Sequence, residues 1–353
     1  MTRRELLWLA GSGLIGGPGL KASEPQNLSY PLTKVDATVT APNLLFVRDH
    51  FSEPDVSLDT WKLRIEGKVE HPYAIGFADL VEMPSKRVEA VLECAGNAAN
   101  GSAVSNGVWE GVPLASLLEA ARPLSDATIV LLEGADSGSL LQDAQPFPYS
   151  QVVPITKCME ISSLVAFKYN NLTLPKRNGF PARALFPGWY GMDSVKWLRR
   201  MVVLRAGEQK TVFQRSGMNR LYNRITESNG ALRTTRLSMV QVKSAIAWPT
   251  DGLKLPSGHY AVWGFAWSGN NPVRKLSISV DGGKAWNAAK IEPQADHHSW
   301  VRWSYAWDAK PGDYALMSRA ADAGGNEQPV KRDPARKDGY ELNWCMPIHC
   351  SVR

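Results

Sequence analysis

Long uninterrupted apolar runs are missing from this 353-residue chain. The best stretch, Leu6 to Leu20, is broken by five glycines and a proline, and it falls short of the roughly 20 strongly apolar residues that span a bilayer as a helix. No Cys-x-x-Cys-His run is present, which excludes a haem covalently attached to this chain. Basic blocks interleaved with aromatics are also missing, so the chain offers no nucleic-acid face. Internal repeats and low-complexity tracts are absent, and a fibrous or disordered protein is thereby excluded.

What is present is a chain with 44% hydrophobic residues, long enough for two domains or one large one. Thr2-Arg3-Arg4-Glu5-Leu6-Leu7 ahead of the mildly apolar stretch resembles a twin-arginine export signal over residues 1–23. The alternative is a single membrane anchor. No Ala-x-Ala precedes Glu24 to mark a cleavage point. The signal predicts a periplasmic protein with no stable membrane insertion once it is removed. Removal takes away Arg3, Arg4 and Lys21 against Glu5, a net loss of two charges that leaves +4 of the formal +6. So mild a charge suits anionic small molecules or an acidic partner.

Four cysteines occur: Cys94, Cys158, Cys345 and Cys350. In an oxidising compartment Cys345 and Cys350 are close enough in sequence to pair, subject to strand geometry. Cys94 stands apart. It follows the strand-like stretch Val88 to Leu92 and opens onto Ala95-Gly96-Asn97, small residues that let a bulky group approach. A thiol there can ligate a soft metal from a rigid strand end. Two distant segments add to it. Phe46-Val47-Arg48-Asp49-His50 sets a cation and an imidazole at alternate positions, which share a face on an extended chain. Phe186 to Arg200 is a Gly/Trp loop that runs into a strand carrying lysine and arginine.

Residues 24 to about 45 are polar and proline-punctuated and read as a wrap over a surface. The periodicity predicts strands at Trp61–Gly67, Val88–Leu92, Thr128–Leu132 and Val195–Leu204. Helices are predicted from Phe77 and from Val112 through Ala120, the latter with Pro113 in its first turn. Ile155–Glu160 followed by Leu164–Phe167 reads as helix then strand. Beyond the compositional change at about 233–244, short alternating runs follow: Ser238–Val242, Tyr260–Trp267, Leu276–Val280, Trp300–Trp307 and Tyr314–Arg319. Separated by Asp281-Gly282-Gly283 and Pro311-Gly312-Asp313, they predict a β-sandwich. The expected division is a signal at 1–23, one domain at 24–234 and a second at 235–353.

Five ordered segments together resemble the sulfite oxidase family of molybdopterin enzymes. They are Leu92–Asn97, Trp109–Leu114, Gly179–Arg183, Pro187–Gly191 leading into Val195–Arg199, and a tail containing Val280–Trp286 and Ala320–Pro329. The resemblance covers nearly everything after residue 40. It implies an α+β chain: a mixed α/β molybdopterin-binding domain followed by an immunoglobulin-like dimerisation domain, in a homodimer. It implies the molybdenum–molybdopterin cofactor, with Cys94 as metal ligand. Arg48 matches the arginine beside the metal, and His50 the histidine that contacts the pterin. Arg183, Ser194 and Lys196 are the candidates for holding the cofactor's phosphate, a planar fork and a point charge suiting that group. Tyr222 is the substrate-side tyrosine, and Arg302 resembles the arginine supplied by the second domain.

The family's animal members follow the cysteine's Ala-Gly-Asn with two arginines, and here those positions are Ala98 and Ala99. The pocket is therefore less positive. The resemblance implies oxidation of a small sulfur oxyanion, sulfite to sulfate, with electrons passed to a separate c-type cytochrome. Two relatives of that reading are a sulfane dehydrogenase acting on carrier-bound sulfur and an exported methionine sulfoxide reductase. The sulfoxide reductase type normally lacks a second domain. Outside the class stands a non-enzymatic binding module.

Overall fold

A computed structural model describes residues 24–35, 37–142 and 144–353; the expected export signal lies outside the described residues. The first half of the chain builds two five-stranded sheets. One orders Leu172–Thr173, Leu164–Tyr169, Val104–Pro113 and Lys86–Glu93, with Arg183–Leu185 also pairing Leu164–Tyr169. The other orders Tyr73–Gly76, Lys62–Gly67, Leu198–Leu204, Ile129–Gly138 and Phe147–Pro154. Their shared core includes Leu63, Ile65, Leu117, Val130, Leu132, Val165 and Met201.

The strand Lys86–Glu93 positions the site by its two-residue period. Val88, Ala90 and Leu92 point into a cluster with Phe46, Trp109 and Tyr169. Val91, one step out of phase, points into a different cluster with Tyr190, Phe265, Trp267 and Trp300. That second cluster draws on both halves of the chain, so the strand has one face toward each domain. Cys94 packs on the Leu92 side.

Helices are short. Leu114–Ala121 buries Leu114, Leu117, Leu118 and Ala121 and ends at Arg122 in the left-handed region, φ 54°. The expected start at Val112 is two residues early, because Val112 and Pro113 pair with Val165 and Leu164 as the end of a strand. Phe77–Glu82 and Ile155–Cys158 form where helices were expected. The strand expected from Val195 begins at Leu198, since Trp197 adopts φ 47°.

The later half is a β-sandwich. Lys243–Trp248, Gly258–Trp267, Val301–Ala309 and Lys290–Ile291 form one sheet. Leu253–Leu255, Ile348–Val352, Gly312–Asp322, Val273–Ser279 and Asn287–Ala288 form the other. Val262, Leu276, Ile278, Trp303, Leu316 and Val352 fill the space between. The run Ser238–Val242 is not a strand. Met239 makes an isolated bridge to Trp189, and the Val240 N–H donates to the Gly188 carbonyl at 2.9 Å. These contacts draw the segment onto the first domain. Gly188 has φ +79°, and a Cβ there would meet the Gly269 carbonyl oxygen at 2.2 Å, so only glycine lets the two backbones approach this closely.

Between the halves lies a hairpin, Asn223–Ser228 and Ala231–Arg236, whose second strand is fully exposed. Its turn is Asn229-Gly230, with φ 50° and 76°, the positive pair of a tight hairpin turn. All four cysteines are free thiols. Among the described residues no helix is long and apolar enough to cross a membrane.

Candidate active site

A partly enclosed cavity opens where the strand end at Cys94 meets the loop around His50 and the Gly/Trp loop. Seven of the eight residues singled out from the sequence line it: Arg48, His50, Cys94, Arg183, Ser194, Lys196 and Tyr222. Arg302 does not. Its guanidinium stacks 4.7 Å over Trp263 on the second domain's sheet, as that strand's alternation onto an aromatic neighbour dictates.

Each residue is fixed locally. The Cys94 N–H donates to the Ala103 carbonyl at 3.0 Å, and the Cys94 carbonyl accepts from the Asn97 N–H at 2.9 Å. This turn closes the strand and leaves Sγ facing the cavity. The two-residue strand Val47–Arg48 pairs with Asn27–Leu28, leaving Arg48 exposed and Asp49 buried. Lys196 bonds the Asp49 carboxylate and, at 3.0 Å, the Arg177 carbonyl. Ser194 Oγ accepts from the Phe186 N–H at 3.1 Å.

Burial governs the charges. Arg183 is buried, donating to the carbonyls of Asn178 at 3.0 Å and Ser194 at 2.7 Å, and among the described residues it has no carboxylate partner. Desolvation lowers its pKa to about 9. Burial also pushes Lys196 down, against the pull of Asp49. It lifts the Cys94 thiol, so a thiolate there requires a cation to stabilise it. His50 falls to about 3, through burial first and then Arg48 and Lys196, and is neutral at physiological pH. Its Nε2 meets the Tyr222 hydroxyl, and its ring stacks on Tyr149 at 4.8 Å. Burial holds Tyr222 protonated.

These residues fit a phosphate-bearing, metal-holding group. A buried guanidinium satisfied only by carbonyls lacks a counter-anion. Asp136 Oδ1 and Asn178 Oδ1 are buried acceptors without partners on the cavity wall, suited to N–H donors of the guest's ring system and not to its phosphate. A soft thiol sits at the same wall.

Sequence reasoning missed the support behind Cys94. Glu93 Oε1 accepts from Lys243 Nζ at 2.5 Å and Asn97 Nδ2 at 3.0 Å, and Oε2 accepts from Trp267 Nε1 at 2.8 Å. Lys243 also donates to the Asn97 carbonyl at 2.9 Å, and both charged side chains are wholly buried. The second domain thus grips the residues flanking the cysteine. Glu93 is one of four charged residues in its strand, and only its burial, invisible in the sequence, sets it apart. Asp136 and Asn178 carried no local signal.

Comparison with known proteins gives a consistent result. Residues 50–212 match the family model for the oxidoreductase molybdopterin binding domain, and residues 235–336 that for the Mo-co oxidoreductase dimerisation domain. The chain is 28% identical over 342 residues to sulfite oxidase of Gallus gallus, covering 88% of this chain and 73% of that protein. It is 28% identical over 342 residues to mitochondrial sulfite oxidase of Homo sapiens, of whose length it spans 62%. The crystal structure of the sulfane dehydrogenase SoxCD from Paracoccus pantotrophus superposes with a TM-score of 0.81 at 26% identity, covering 97% of this chain and 93% of that one.

Proposed function

Because the chain belongs to the sulfite oxidase family of molybdopterin oxidoreductases, we propose that this enzyme oxidises sulfane sulfur held on a carrier and passes the electrons to a separate c-type cytochrome. Within this reading the signal at 1–23 directs it to the periplasm, residues 24–234 form the catalytic domain, and residues 235–353 form the second domain and the contact of a homodimer.

The observation that carries the substrate assignment is the scarcity of uncommitted cations. Arg183 and Lys196 face the cavity but serve the expected cofactor phosphate, and Ala98 and Ala99 add nothing. That leaves Arg48, exposed and without an ion pair among the described residues. One cation is a weak trap for a small dianion and sufficient for a tethered group. The match along nearly the full length of a sulfane dehydrogenase supports the same choice. A second, open hollow lined by Arg224, Arg332, Arg336, Glu341, Tyr340 and Trp344 adds surface for a carrier. Tyr340, on its wall, packs 5.6 Å from Tyr222 on the wall of the first.

Cys94 would hold the metal, Arg183, Ser194 and Lys196 the phosphate, and His50 the pterin. Bound there, the molybdenum–pterin group supplies two-electron oxygen-atom chemistry with water as the oxygen source. Arg48 steadies negative charge on the sulfur substrate at the mouth. Tyr222 keeps its proton and donates it in a hydrogen bond; with His50 neutral and protonated on Nδ1, Nε2 accepts it. Buried Tyr149 supports the imidazole from the other side, its hydroxyl tied to the Met192 carbonyl at 3.1 Å.

Sulfite oxidation is the second reading, favoured by the sulfite oxidase relatives. Arg302 then has a role only if it leaves the face of Trp263. An anaerobic assay of the cofactor-loaded enzyme, followed by molybdenum electron paramagnetic resonance, separates the two. A persulfide-bearing carrier peptide is expected to generate the reduced-metal signal and to reduce cytochrome c, with free sulfite much slower. A signal from sulfite and none from the persulfide would overturn the assignment.

A further inference from the structure

Ligand-type side chains that the proposed chemistry does not use gather on the second domain. Between Lys290–Ile291 and Val301–Ala309 the chain turns through Asp296, His297 and His298, whose ligand atoms all lie within 4.8 Å of one another. None of the three lines the cavity at Cys94.

Asp296 Oδ1 is 3.2 Å from His297 Nδ1 and 3.3 Å from His298 Nδ1. Yet His298 Nδ1 is buried with no hydrogen-bond partner, on a residue only 6% exposed. At such a separation an imidazole N–H aimed along the line to the oxygen would make a hydrogen bond. His298 Nδ1 therefore stands beside the Asp296 carboxylate as a buried nitrogen without good hydrogen-bond geometry. A tetrahedral ion with bonds of about 2.0–2.2 Å holds its ligand atoms about 3.3–3.6 Å apart, close to the two Asp296–imidazole separations, and the third pair lies within 4.8 Å.

The turn is built rather than loose. The Asp296 N–H donates to Ser299 Oγ at 3.1 Å, Ser299 Oγ donates to the Asp296 carbonyl at 2.8 Å, and Gln294 Nε2 donates to the Ser299 carbonyl at 2.6 Å. The His298 N–H holds Asp296 Oδ1 at 3.0 Å, and the two imidazole centroids are 3.7 Å apart. The His297 side chain is 54% exposed, which leaves a way in for an ion. On the inner side, the His298 carbonyl accepts from the Val91 N–H at 2.9 Å.

We propose that Asp296, His297 and His298 form a binding site for one divalent transition-metal ion of the zinc class, separate from the molybdenum cavity, with its remaining position open to water. Two imidazoles and one carboxylate are the donors such ions prefer. An ion there clamps the turn that carries the His298 carbonyl onto the strand leading to Cys94. By binding the folded chain alone it also raises stability.

The test is titration of the purified full-length protein with Co²⁺ followed by absorption, and with Zn²⁺ followed by calorimetry and thermal unfolding. One ion is expected, with tetrahedral cobalt bands and no sulfur-to-cobalt band. His297→Ala, at an exposed position that leaves the fold intact, should weaken binding by roughly 100-fold or more, beyond the loss a supporting contact causes. It should also abolish the zinc-dependent rise in unfolding temperature, and His298→Asn should do likewise. Failure to bind one ion saturably, equal binding by His297→Ala, or a thiolate band pointing to a cysteine would each overturn the site.

Discussion

The cavity wall and the core of the sandwich are opposite solutions to burial. Around Cys94 the chain buries Arg183, Asp136, Asp193 and the Glu93–Lys243 pair. Between the sandwich sheets it buries Val262, Leu276, Ile278, Trp303 and Leu316. A sandwich core needs only apolar volume on alternate positions. The cavity wall carries charges that cost free energy unless something compensates them. The difference teaches that the first region is built around a polar guest, while the second holds shape.

Lys243→Met attacks that contrast where the two regions join. It leaves Glu93 buried without its cation, held only by Asn97 and Trp267, and should cost about 3–5 kcal/mol. Denaturant unfolding measures the loss, and alkylation of Cys94 in the cofactor-free protein should quicken as its turn loosens. Leu316→Ala, at a wholly buried sandwich position, should cost about 2–5 kcal/mol and leave Cys94 alkylation unchanged. Equal effects of the two substitutions on the thiol would erase the distinction between guest-holding and shape-holding regions.

Arg183→Lys keeps the charge but loses the fork that reaches both the Asn178 and Ser194 carbonyls. About 1.5–3 kcal/mol for a lost charge-assisted bond is the expected scale. Pterin fluorescence after oxidation, per mole of purified protein, should drop. A further effect concerns pH. Burial raises Asp136 from 3.8 to about 7. Between about pH 4 and pH 7 the folded chain therefore holds a proton that the unfolded chain has released, and stability falls as pH rises across that window. Asp136→Asn in cofactor-free protein should flatten this slope; an unchanged slope would assign it to another group, such as Asp193, raised likewise to about 7 by burial.

Legibility followed the range of the interactions. The sandwich strands at Tyr260–Trp267 and Tyr314–Arg319 were readable because alternation is local, and the structure extends them to Gly258–Trp267 and Gly312–Asp322. The hairpin at 223–236 was missed although Asn229-Gly230 marks its turn, since its exposed second strand lacks an apolar face. Cys94, His50 and Lys196 were found through motif resemblance, and the structure gathers them. Glu93 and Lys243 are 150 residues apart, and only the folded chain reveals their pairing. Asp136 shares its strand with Glu133, and nothing in its neighbours' periodicity distinguishes it from a surface carboxylate.

The central claim is that Cys94 binds molybdenum inside the cavity shared by Arg48, Arg183 and Lys196. X-ray absorption at the molybdenum edge, on wild type and Cys94→Ser purified with the cofactor, tests it most directly. The variant is expected to lose one sulfur neighbour of the metal together with all turnover. An unchanged sulfur shell with turnover retained would contradict the account.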